Sequence, residues 1–61
     1  MRVTVHPIDA TGTRGDPLDE FNVSGYGVAQ DIGIRVAAAA HRAPVGSTHI
    51  VALIDLERRG A

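Results

Sequence analysis

The chain begins with a short alternation of apolar and polar positions. Val3 and Val5 alternate with polar residues across the segment "RVTVH". A period of two with β-branched residues predicts a half-buried strand over residues 2–6. Pro7 has no N–H to donate, so it indicates a strand end, a bulge or an edge position. A second alternation places Phe21 and Val23 against polar neighbours and predicts another short strand within 18–24.

The segment between these two strands is rich in residues that form turns. It reads "DATGTRGDP" and contains the tripeptide RGD at 14–16, a sequence that invites comparison with adhesive motifs. An adhesive role requires exposure outside the cell, which neither a signal peptide nor a cysteine indicates here. We therefore interpret the segment as the connection of an antiparallel hairpin.

From residue 28 the pattern changes from period two to the helical period. Apolar residues recur at i, i+4, i+8, i+11 and i+15 and predict a helix over 28–43 that ends before Pro44 and Gly46. The stripe consists of Val28, Ile32, Val36, Ala39 and Ala43. Gly33 is costly inside a helix, and we expect it to allow close packing on a sheet.

The last segment, "STHIVALIDLERR", predicts the strongest strand. Residues 50–54 are apolar on both faces, which is typical of a central strand. One face continues through Ile50, Ala52, Ile54 and Leu56 and should meet the helix. Val51 and Leu53 should then lie on the open face of the sheet.

These elements predict an α+β domain with the order β-β-α-β. Because the helix must cover one face of the sheet, the last strand is expected to lie beside the first strand and parallel to it. The predicted fold is therefore a small mixed sheet with one helix packed on one face.

Composition narrows the functional classes. The chain has 61 residues, no cysteine and a net charge of −1, so disulfides, thiolate zinc sites and a strong attraction to nucleic acid are not indicated. Its apolar runs are too short to span a bilayer. All basic residues are Arg, a bias associated with GC-rich bacterial or phage genomes. We expect a cytoplasmic protein without a catalytic motif, cofactor or metal, and therefore not an enzyme.

The strand order and the C-terminal sequence resemble the ubiquitin-like β-grasp family. "STHIVALIDLERRGA" is similar to the last strand and tail of ubiquitin, and "MRVTV" is similar to the first strand of such proteins. The resemblance implies a protein modifier or a recognition module. The small sulfur-carrier proteins are one type of this family. It divides the chain into a domain at 1–57 and a flexible tail at 58–61.

The tail and the open sheet face are the sites that this resemblance implies. Activation at Gly60 by a partner enzyme would use the tail, which consists of Arg58, Arg59, Gly60 and Ala61. Family members activated in this way usually end in Gly-Gly, whereas this chain ends in "RRGA". The partner-binding patch implied on the open face consists of Thr4, His6, Val51 and Leu53.

Three further interpretations remain open from the residues. One is a self-associating structural or regulatory module that uses a sheet edge or the Val51 and Leu53 face. The glycines at 25 and 27 precede a helix, as in a nucleotide-binding βαβ unit, with Asp55 as the ribose-binding acid, but Gln30 occupies the third glycine position. His6 and His49 could face one side of the sheet, but two imidazoles alone make a poor zinc site.

Overall fold

One helix and three strands make up the computed structural model, which describes residues 1–25 and 27–55. In chain order they are β1 (Arg2–Asp9), β2 (Asp19–Asn22), α1 (Val28–Ala40) and β3 (Ser47–Asp55). The predicted α+β class, with a small sheet and one helix, is confirmed. Leu56 and the predicted tail at 58–61 lie outside the described residues.

The sheet has the order β2-β1-β3, and both of its ladders are antiparallel. The expected parallel pairing of the last strand with the first is therefore wrong, and the sheet is not mixed. The expected central position of the last strand is also wrong, because β1 pairs on both sides and β3 lies at an edge of the described sheet. β1 continues past Pro7 to Asp9, with a register irregularity between Ile8 and Asp9.

The pairing of β1 on both sides sets the directions of the strands. β2 and β3 are each antiparallel to β1. β3 therefore runs in the same direction as β2 and opposite to β1, which lies between them. A parallel pairing of β3 with β1 would require β3 to run opposite to β2, whereas α1 connects β2 to a β3 that runs the same way.

The core lies between α1 and one face of the sheet. Val3 and Val5 of β1 are fully buried, as their alternation predicted, and Ala39 of the helix is also fully buried. Val23, just after β2, completes this cluster. The partly buried residues around it are Met1, Leu18, Phe21, Ile32, Val36, Ile50 and Ala52. The predicted inward face of the last strand is thus correct at Ile50 and Ala52, whereas Ile54 remains 49% exposed.

The helix begins and ends with backbone groups rather than side-chain caps. Gly27 is the N-cap at φ 82°, a left-handed conformation that favours glycine. The helix ends at Ala40, earlier than predicted, because His41 and Arg42 donate their N–H groups to carbonyls three residues back. Gly33 is exposed, and an added Cβ would meet nothing within 4 Å, so the expected close packing at Gly33 is wrong.

The RGD segment is bonded to β1. The N–H of Gly15 donates to the carbonyl of Pro7 over 2.9 Å, and Arg14 forms an isolated bridge with Ile8. At the turn itself, the carboxylate of Asp9 accepts from the hydroxyl of Thr11 over 2.6 Å and from two backbone N–H groups. This segment therefore folds back along β1 as the hairpin connection.

Candidate interaction surface

The open face of the sheet brings together the four residues of the implied partner-binding patch. Thr4 lies directly opposite Leu53 in the β1–β3 ladder, and His6 lies directly opposite Val51. Because side chains alternate between faces, these residues point away from the helix-covered face that holds Val3 and Val5. Cross-strand pairs of this kind hold their Cβ atoms about 5 Å apart. We call Thr4, His6, Val51 and Leu53 the open-face patch.

The imidazole of His6 is held by two hydrogen bonds. Nδ1 lies 2.9 Å from the carbonyl oxygen of Gly15, and Nε2 lies 3.1 Å from Oγ1 of Thr4. Because a carbonyl oxygen only accepts, Nδ1 must carry the proton. In the neutral ring, Nε2 then accepts from the hydroxyl of Thr4. The RGD segment therefore fixes the orientation of a patch residue, a link that the sequence did not indicate.

Charged groups lie at one end of the open-face patch. Arg2 pairs with Glu20 at 3.0 Å between exposed side chains, and Arg2 also lies opposite Asp55 in the ladder. In contrast, none of the four patch residues carries a carboxylate or a guanidinium. Leu53 is 39% exposed, so its apolar side chain is accessible on this face. An apolar centre beside charged residues is the general arrangement of protein interfaces.

The outer edge of β3 is the second feature of this surface. Odd-numbered residues of β1 direct their backbone groups toward β2, as shown by the carbonyls of Met1 and Val5. Even-numbered residues of β1 therefore bond to β3, through partners such as Val51 and Leu53. The intervening residues of β3 direct their N–H and C=O groups outward, and no described residue pairs with them. These residues are Thr48, Ile50, Ala52 and Ile54.

The two sheet edges differ in length and charge. β2 has only four residues, of which Asp19 and Glu20 are acidic and paired with Arg35 and Arg2 respectively. β3 has nine residues and carries no acidic or basic group other than His49 before Asp55. Short strands and charges protect natural edges from pairing with other chains. The β2 edge has this protection, and the β3 edge lacks it.

The other candidate chemistries are less well assembled. His6 and His49 do share the open face, but the described part of the chain contains no group of three potential metal ligands. Gly25 and Gly27 both have φ 82°, as a tight turn requires. However, Asp55 is separated from the end of β2 by β1, and Asp31 places a negative charge in the first helical turn. An acid at this position opposes the binding of phosphate.

A contact between β2 and the helix was not foreseen from the sequence. The guanidinium of Arg35 lies 4.6 Å from the centroid of the Phe21 ring and 3.2 Å from a carboxylate oxygen of Asp19. Arg42 also reaches toward β2 and donates to the carbonyl of Leu18 over 2.9 Å. Arg35 therefore marks the flank of the helix that faces β2, and Arg42, just after the helix, reaches the same strand end.

Similarity to known proteins adds no family to this description. The chain matches no protein-family model, no curated protein and no solved structure.

Within residues 1–25 and 27–55, no helix is long and apolar enough to cross a membrane.

Proposed function

We propose that this protein is a non-enzymatic interaction module that works by self-association through its sheet. The observation that carries this proposal is the edge of β3, a nine-residue strand in which Thr48, Ile50, Ala52 and Ile54 present outward backbone groups that no described residue satisfies. An edge of this length, whose single acidic residue is Asp55 at its end, is a template for pairing with another strand.

The small core supports the same proposal. Four hydrophobic residues are buried among those described: Val3, Val5, Val23 and Ala39. The chain has no cysteine, and a single domain of this length gains little stability from its own core. Pairing with a second copy adds buried apolar area and backbone hydrogen bonds, and it requires no other protein.

Light scattering and native mass spectrometry over a range of concentrations test this proposal. We expect a dimer or higher oligomer whose thermal midpoint rises with protein concentration. Ile54→Lys places a charge on the β3 edge and is expected to shift the population to monomer. Val45→Lys is the matched control, because Val45 is fully exposed in the connection before β3. A wild-type protein that stays monomeric at high concentration would contradict the proposal.

A second candidate is a ubiquitin-like recognition module that binds a partner protein through the open-face patch and is activated at Gly60. The cross-strand pairing of the four patch residues favours it. The antiparallel pairing of β3 with β1 differs from the parallel arrangement expected from the order of the predicted elements. Mass spectrometry of the cellular protein tests activation, because a conjugated or adenylated C-terminus should disappear in Gly60→Asp. A C-terminus that is always free would exclude it.

A further inference from the structure

We infer that two copies of this chain pair β3 with β3 in an antiparallel manner about a two-fold axis at Ala52. The result is one continuous sheet of six strands, β2-β1-β3-β3-β1-β2. The inference rests on the proposed self-association and specifies its surface and register. An antiparallel pairing of identical strands is isologous, so each contact occurs twice and the assembly closes as a dimer.

Backbone direction allows this pairing. Ile50, Ala52 and Ile54 direct their N–H and C=O groups away from β1. With the axis at Ala52, the two copies of Ala52 face each other and Ile50 faces the partner's Ile54. Each of these pairs exchanges two backbone hydrogen bonds. All three residues lie on the helix-covered face, so both helices lie on the same side of the joined sheet.

The side chains on the open face select this register. Val51 lies opposite the partner's Leu53, and His49 lies opposite the partner's Asp55. A shift by two residues in one direction places His49 opposite Leu53, and a shift in the other places Asp55 opposite Val51. Of these three registers, only the one centred on Ala52 gives each Asp55 an imidazole neighbour while keeping the described apolar residues paired.

The helix flank that faces the β3 edge fits a second helix. Arg35 of the helix contacts Asp19 and Phe21 of β2, so the opposite flank faces β3. Helical spacing places four small and exposed residues on that flank. These are Ala29, Gly33, Ala37 and Ala40. Gly33, which has no packing role within one chain, therefore lies where a second helix would approach.

The spacing of the strands agrees with helix packing. Neighbouring strands lie about 4.8 Å apart, so two helices, each lying over its own β1 and β3, would be about 10 Å apart across the axis. Helices in contact pack at about 8–10 Å, and small side chains favour the closer distances. The dimer would also join the two open-face patches into one surface that contains both copies of His6 and Leu53.

Disulfide trapping tests the register, because the natural chain has no cysteine. Val51 and the partner's Leu53 form a non-hydrogen-bonded pair, whose Cα atoms lie about 4.5 Å apart and within the range of a disulfide. We expect an oxidised mixture of Val51→Cys and Leu53→Cys to give a covalent dimer that doubles the mass. Each variant alone should give little, since its two cysteines lie diagonally. Asn22→Cys on β2, mixed with Leu53→Cys, is the control and should stay unlinked.

The outcomes separate the inference from the proposed function. A dimer by light scattering that links efficiently as Val51→Cys alone, or as Leu53→Cys alone, overturns the Ala52 register while the proposed self-association stands. A dimer in which no mixture links overturns pairing through β3. A monomer at all concentrations overturns both. Far-UV circular dichroism of each variant confirms that it is folded before it is scored.

Paired helix variants test the two-fold axis independently. Ala37→Leu adds a bulky side chain to the flank that faces the β3 edge, whereas Ala38→Leu adds the same side chain to another exposed part of the helix. The two variants have equal helix propensity. We expect Ala37→Leu to weaken dimerisation at least severalfold and Ala38→Leu to leave it unchanged. Equal behaviour of the two variants would contradict the helix arrangement.

Discussion

Asp9 holds the turn at the end of β1 through its carboxylate. The hydroxyl of Thr11 donates to Oδ1 over 2.6 Å, and the backbone N–H groups of Thr11 and Thr13 donate to the same atom. These donors, with the Thr11 hydroxyl as the largest contribution, hold the pKa of Asp9 below its usual value. One carboxylate therefore satisfies several backbone groups at the tip of the hairpin, as Asp does in many turns.

This geometry predicts how the stability of the turn depends on pH. Because the pKa of Asp9 is lower in the folded chain than in the unfolded chain, the ionised carboxylate stabilises the fold above the ordinary pKa of Asp. That stabilisation is lost as the pH falls through the lowered folded pKa. An NMR titration of the Asp9 carboxyl is expected to show the lowered pKa.

Substitutions at the neighbouring threonines provide the matched comparison. Thr11→Val removes the hydroxyl donor and should raise the pKa of Asp9 toward its usual value. Thr13→Val keeps the backbone N–H that reaches Asp9 and should change the pKa less. If both variants leave the Asp9 titration unchanged, the hydrogen bond from Thr11 does not control it.

At the scale of the elements, two single glycines of the chain have different structural roles. Gly12 has φ 85°, a conformation that other residues adopt only with strain, in the turn after β1. Gly33 has helical backbone angles and open space around it. The sequence predicted a turn at Gly12 and a helix at Gly33, but only the structure shows that Gly33 has no neighbour to pack against.

We therefore expect opposite effects of the same substitution at these two glycines. Gly33→Ala should stabilise the monomer by about 0.5–1 kcal/mol, because alanine favours the helix and meets no neighbour. Gly12→Ala should destabilise it by about 1 kcal/mol, because the left-handed conformation disfavours a Cβ. Urea unfolding at a concentration low enough for the monomer measures both changes. A destabilised Gly33→Ala monomer would show that the helix lies closer to a neighbour than the structure has it.

At the scale of the whole molecule, one half-covered sheet supports a very small core. α1 covers one face of the three strands, and the core centres on Val3 and Val5 of β1. The middle strand β1 therefore contributes the two buried valines at the centre of the core, against which residues of the helix and of the other strands pack. A molecule of this kind has little stability to lose, since small domains are only marginally stable.

Truncation of one core valine should show this dependence. Val5→Ala removes part of a fully buried side chain and is expected to cost about 2 kcal/mol. Such a loss is a large fraction of the stability of a domain this small. Val45→Ala makes the same chemical change at a fully exposed position and should be neutral within about 0.5 kcal/mol. Thermal denaturation followed by circular dichroism compares the two variants, and equal midpoints would contradict the assigned core.

The sequence by itself determined the elements and the direction of their side chains. The period-two pattern of β1 identified Val3 and Val5 as inward, and the helical stripe identified Ile32, Val36 and Ala39. The same alternation placed Val51 and Leu53 on the open face. Such patterns are local, because the strand and helix periods fix which residues share a face. The four residues of the open-face patch were implied by the ubiquitin-like resemblance, and Thr4 and His6 lie opposite Leu53 and Val51 in the β1–β3 ladder.

Only the tertiary structure decided how the strands are arranged. Apolar residues on both faces of β3 suggested a central strand, yet alternation reports on faces and not on which strands lie to either side. Both ladders are antiparallel, and β3 lies at an edge of the described sheet because β1 lies between its two neighbours. The hydrogen bond from His6 to Gly15 likewise joins residues that only the folded hairpin brings together. These features depend on contacts between distant segments, which no local periodicity encodes.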